Sequence, residues 1–147
     1  MSVKPIPDGY HTVTPSLVVS GAAKVIDFMK VGLGGVERFR HGPPGGPIMH
    51  AEIKVGDSVV MLADSNPRFP PMPTALYVYV NDVDSAYKSA LKAGGVSLRE
   101  PTNEFYGDRV AGVKDPGGNQ WWLATHVEDL SPEEFERRAQ AMMSKKP

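Results

Sequence analysis

The sequence predicts an α+β fold made of two tandem βαβββ modules followed by a C-terminal helix. Three observations predict it. Hydrophobic spacing alternates, switches to a helical period and returns to alternation, and it does so twice in the same order. Matching stop signals recur, with Gly34-Gly35 after the first helical stretch and Gly94-Gly95 after the second. Leu62-Ala63 and Leu123-Ala124 close the last strand of each half, and the proline-rich "SNPRFPPMP" (65–73) separates the halves.

The first module spans 11–64. "HTVTPSLVVS" (11–20) is β-rich, and "GAAKVIDFMKVGLGG" (21–35) places Ala22, Ile26, Met29 and Leu33 on one helical face, with Ser20 as the expected N-cap. "VERFRH" (36–41) is a short strand and "GPPGGP" (42–47) a loop. "IMHAEIKV" (48–55) and "SVVMLAD" (58–64) form a hairpin about Gly56-Asp57. The second module spans 74–126: strand "ALYVYVN" (75–81), a helix over 82–95 capped by Asp82, strand "VSLREP" (96–101), the polar and aromatic loop "TNEFYGD", strand 109–115 and strand 120–126. The capping box Ser131-Pro132-Glu133-Glu134 opens a helix over 131–143 whose apolar stripe is Phe135, Ala139 and Met142. The chain of 147 residues is therefore read as a single domain of paired modules.

Composition narrows the function. A formal net charge of -1 gives no field to attract nucleic acid or an acidic membrane. With no cysteine, a disulfide scaffold, a thiolate metal site and a Cys nucleophile are excluded. "MSVKPIPDGY" lacks the apolar core of a signal peptide, and no run approaches the roughly 18 apolar residues of a membrane span, so a cytoplasmic protein is expected. "GPPGGP" lacks the Lys-Ser/Thr of a phosphate loop, and no nucleophile elbow is present.

"HTVTPSLVVSGAAKVIDF", "MHAEIKVGDSVVMLAD", "EFYGDRVAGVKDPGGNQWWLATHVED" and "SPEEFERRA" resemble the glyoxalase/bleomycin-resistance proteins of the vicinal oxygen chelate superfamily, especially its PhnB-like branch. The resemblance runs over about residues 5–140. It implies modules whose sheets form a cup, and a homodimer. In metal-using relatives it implies a divalent metal held by inward His and carboxylate side chains on the first and last strand of each module. Here those positions fall near Thr14, Met61, Ala75 and Trp122, none of them a His, Asp or Glu, so no metal or other cofactor is expected.

Strand alternation divides the faces. Trp121 shares a face with Leu123 and is expected in the core; Trp122 is expected in the cup. Leu17, Val19, Val60, Leu62, Leu76, Val78, Met49, Ala51, Ile53 and Val55 face the helices, and Met61, Tyr77 and Tyr79 join Trp122. An aromatic-walled concavity suits a flat organic ligand. "FYGDR" (105–109) adds Phe105 and Tyr106 for stacking or hydrogen bonding and Arg109 for an anionic group; an ion pair of Asp108 with Arg109 is the bland alternative. His50 and Glu52, two apart on one strand face, are the acid–base candidates alongside Tyr106 and Arg109, with His11 or His126 as a third group for a displaced metal site. The leading expectation is a metal-independent small-molecule binder. The alternatives are a metal-dependent lyase, isomerase or dioxygenase with a displaced site, and a dimeric scaffold with a filled cup.

Overall fold

The structure, a computed structural model, describes residues 2–145. Two four-stranded sheets repeat one plan. β1 (Ser16–Val19), β2 (Val36–His41), β3 (His50–Val55) and β4 (Ser58–Asp64) lie in the order β1-β4-β3-β2. β5 (Ala75–Tyr79), β6 (Val96–Asn103), β7 (Asp108–Lys114) and β8 (Gln120–His126) lie in the order β5-β8-β7-β6. In each sheet the first strand runs parallel to the last, and the other pairs are antiparallel. α1 (Ala22–Asp27) and α2 (Val83–Lys92) follow the first strand of each module, and α3 (Pro132–Ser144) closes the chain.

The first helix departs from the expected one at both ends. Gly21, not Ser20, is its N-cap, at φ 81, a left-handed conformation that side chains resist. The cap is supplied from a distance: the Asp64 carboxylate accepts the Ala22 N–H at 2.8 Å and the Ile48 N–H at 2.7 Å. Past Asp27 the helix widens into a π-helical turn, Phe28–Gly32, which packs on α2. There Gly32 lies so close to Ala90 and Ala93 that a Cβ would meet each at 3.1 Å. The second helix is capped as its sequence predicts, Asp82 accepting from the Ser85 N–H at 3.2 Å. Met49 is exposed rather than facing the helices, because β3 begins at His50, two residues later than expected, and Ile48 takes the buried place. β6 runs on to Asn103, so the expected loop shrinks to a turn over 104–107.

One core serves both modules. Leu17, Val25, Ile26, Phe28 and Ile53 of the first pack with Val83, Val113, Trp121 and Leu123 of the second. Phe28 and Trp121 meet with ring centroids 6.1 Å apart. The turn at 115–119 seals the seam: buried Asp115 accepts from the Gly117 and Asn119 N–H groups and from Trp121 Nε1 at 2.8 Å. The helix-covered faces thus meet each other, and the opposite sheet faces look outward. Among the described residues no helix is long and apolar enough to cross a membrane.

Candidate functional site

The outward face of the second sheet gathers the aromatic residues. Parallel pairing sets Tyr77 beside Trp122 and Tyr79 beside Ala124. Antiparallel pairing sets Gly112 on the other side of Trp122 and Asp108 opposite His126. Gly112 decides how the indole lies. A Cβ there would stand 2.4 Å from Trp122 Cζ3 and 2.8 Å from Cε3, so only glycine lets the ring settle against the sheet. Trp122 is half-buried, one side on the strand; Trp121 is 0% exposed. The phenols of Tyr77 and Tyr79 cross edge to face, centroids 5.4 Å apart.

Beneath the phenols lies Asp108, only 4% exposed. Its Oδ2 accepts from Tyr77 at 2.7 Å and Tyr79 at 3.0 Å. Its Oδ1 faces His126 Nδ1 at 2.8 Å, and His126 Nε2 faces Asp129 Oδ1 at 2.7 Å. A neutral imidazole carries one N–H, so donating to both carboxylates requires the imidazolium. The charges agree. The bonds to Asp108 and Asp129 raise His126 above its ordinary 6.5. Burial pushes Asp108 upward, but donation from His126, Tyr77 and Tyr79 outweighs it and holds the carboxyl below its ordinary range. Tyr77 is driven up by burial and by Tyr106 and Asp108, and Tyr79 by its bond to Asp108. Both phenols are fixed as protonated donors, and the carboxylate accepts three hydrogen bonds. The network fixes the Tyr77 and Tyr79 rings in place.

Of the expected site residues, Tyr77, Tyr79, Tyr106 and Trp122 share this region. Phe105 stacks edge-on to Tyr106, at 5.4 Å, but its other neighbour is Phe135 of α3, at 5.5 Å. Arg109 lies elsewhere. Its guanidinium binds Asp84 of α2 through two bonds, 2.9 and 3.0 Å, and Asn103 at 3.1 Å. Consecutive strand residues point to opposite faces, so Asp108 and Arg109 separate, and the partner of Arg109 is Asp84 rather than Asp108. Met61, His50 and Glu52 stand on the first sheet, where His50 Nε2 is 3.0 Å from Glu52 Oε2. His11 is held by the Asp57 carbonyl at 3.0 Å and His126 by Asp108, and among the described residues neither joins His50 and Glu52 as the third group of a displaced metal site. Sequence reading missed Asp108 as the hub of the network and Gly112 as the seat of the indole. The signal was the alternation of β7, which puts 108, 110 and 112 on one face.

The donor set at the strand positions does not fit a divalent metal. Register opposes Ser16 to Met61 and Tyr77 to Trp122, with Ala75 against Gln120 and Thr14 before β1. These offer alcohols, a thioether, a protonated phenol, an amide and an indole, without an imidazole or carboxylate. Among the described residues no group of three His, Asp or Glu is placed to hold a metal.

A cleft of about 770 Å³ runs along the unpaired edge of β5, walled by Val13, Pro15 and the 55–58 turn, with Tyr77 and Tyr79 among its lining residues. Its size is that of a small-molecule site.

Comparison with known proteins matches residues 10–123 to the Glyoxalase/Bleomycin resistance protein/Dioxygenase superfamily model. Uncharacterized proteins of Mycobacterium bovis and Mycobacterium tuberculosis are 31% identical over 134 residues, 84% of this chain and 88% and 79% of theirs. Among solved structures, TioX from Micromonospora sp. ML1 aligns with a TM-score of 0.69 at 21% identity, over 80% of this chain and 99% of its own. TnmS3, an antibiotic binding protein from Streptomyces sp. CB03234, aligns with a TM-score of 0.64 at 25% identity, over 85% and 100%.

Proposed function

This chain belongs to the glyoxalase/bleomycin resistance protein/dioxygenase superfamily, and from that premise we propose that it is a metal-independent binder of a flat small organic molecule. The observation that carries the reading is the Trp122 indole, seated on Gly112 and paired in register with Tyr77, whose ring meets that of Tyr79 edge to face. A planar ligand gains apolar burial and stacking there, and the rings are held by Asp108 before it arrives, which lowers the ordering cost of binding. Asp108, engaged by Tyr77, Tyr79 and His126, serves here to hold the rings, which favours recognition over proton transfer. The resemblance to TnmS3 supports a ligand of the antibiotic kind. The PhnB-like assignment rests on the sequence fragments alone.

We read the binder as a cytoplasmic homodimer with no nucleic-acid or membrane partner. Tyr77 and Tyr79 are 46% and 64% exposed, and β5 is an apolar edge strand with one side unpaired. Such an edge is protected when a second chain covers it. The second copy then supplies the missing wall over the aromatic face.

Metal analysis of the purified, untagged protein tests metal independence, before and after incubation with zinc, nickel, manganese and iron(II). The expected result is no stoichiometric metal under any condition. A chelator-sensitive metal at one per chain overturns it and favours an enzyme built on His50 and Glu52.

A further inference from the structure

The outward face of the first sheet already holds an aromatic guest, and the guest belongs to the chain. Tyr10 lies on it. Its hydroxyl donates to Glu52 Oε1, and the Arg38 guanidinium sits over its ring, 5.5 Å from the centroid. Glu52 is flanked in register by Phe39 on β2 and Met61 on β4, so apolar walls stand on both sides of a carboxylate. The second carboxylate oxygen is fixed by His50, and the Phe39 and His50 rings lie 5.9 Å apart. These parts meet the needs of a phenol: an acceptor for the hydroxyl, a cation for the ring face and apolar contact at the edges.

The segment that brings Tyr10 is lightly attached. Before His11 its other hydrogen bonds among the described residues are internal, Lys4 to Asp8 at 2.8 Å and the Tyr10 N–H to the Pro7 carbonyl at 3.2 Å. Tyr10 therefore reaches the face as a tethered ligand and not as part of the core.

We propose that the Glu52 face of the first sheet is a phenol-binding site, with Tyr10 as its built-in occupant, and that a free phenolic ligand competes with Tyr10 for it. Donation from Tyr10 and His50 keeps Glu52 ionised, below its ordinary carboxylate range, so the acceptor survives the exchange once another hydroxyl takes the place of Tyr10. The site is separate from the Trp122 face and stands without the reading of that face.

The probe is p-cresol, the tyrosine side chain cut free, titrated into the full chain and followed by amide NMR. A tethered competitor at roughly millimolar effective concentration masks the site, so removing it tightens apparent binding by about tenfold or more. Tyr10→Ala is expected to show that gain, with shifts centred on Arg38, Phe39, Glu52 and Met61. Tyr10→Phe keeps the ring and loses the hydroxyl, and is expected to show a smaller gain. Glu52→Ala in the Tyr10→Ala background is expected to abolish the gain, and p-methylanisole, which has no hydroxyl proton, is expected not to show it. The proposal is overturned if neither Tyr10 variant binds p-cresol more tightly than the wild type. It is equally overturned if the shifts centre on Trp122 and Tyr77, an outcome that leaves the function proposed above standing.

Discussion

β8 turns Trp121 inward, onto Phe28 and the Asp115 carboxylate, and turns Trp122 outward onto Gly112. The two residues therefore answer differently to the same substitution. Trp121→Ala removes a fully buried ring and is expected to cost on the order of 4 kcal/mol of stability, read by chemical denaturation. Trp122→Ala empties only an open face, leaves stability nearly unchanged and weakens ligand binding by roughly thirtyfold, about 2 kcal/mol. His126 gives a second prediction at this scale. Its pKa is raised in the folded state, so its contribution is fully present below the ordinary value of 6.5 and is lost as pH rises through the raised one. His126→Ala is thus expected to destabilise more at about pH 6 than at about pH 9. Asp108, held low, works in the other sense, and its contribution is lost as pH falls through its depressed value. The placement of each tryptophan was legible from alternation alone, because a strand has only two faces. The place of Arg109 was legible from the same rule, although its nearness in sequence to Tyr106 suggests a shared site. Asp84, its partner, is 25 positions away in sequence, on another element.

α3 is the element whose role depends on contact and not on burial. None of its residues is buried. It holds the 104–107 turn through Phe135 against Phe105 and through an Arg138 N–H donated to the Phe105 carbonyl at 3.2 Å. Phe135→Ala is expected to raise hydrogen exchange in α3 and in 104–107, with little change in the global unfolding midpoint, and to weaken ligand binding modestly through Tyr106. An equal loss of protection throughout β7 and β8 would contradict this. The start of α3 was written locally, in Ser131 and Glu134, and the structure keeps that cap at 3.1 Å. The start of α1 was not, because its cap is Asp64, which belongs to the last strand of the module. Local signals foretell local caps; a long-range carboxylate leaves no mark beside the helix it serves.

At the scale of the molecule, duplication explains the architecture. Each module has one helix layer for one sheet face, and the two layers share a core through Phe28 and Trp121. That choice sends the aromatic face of the second sheet and the Glu52 face of the first outward. The repeat was readable in paired glycines and strand ends. Which faces would meet was not, since both arrangements bury the same alternating residues within a strand. The central claim is that Trp122 reads a flat ligand without metal. A fluorescence titration tests it most directly: chelator-treated wild type, Trp122→Phe and Gly112→Ala proteins, each against a panel of planar polycyclic aromatics. The account predicts saturable quenching of the wild type by at least one compound. It predicts loss of that quenching in Trp122→Phe, where only buried Trp121 emits. It also predicts weakened binding in Gly112→Ala, where a methyl lifts the indole from its seat. Binding that is equal in all three proteins, or that requires added metal, would contradict it.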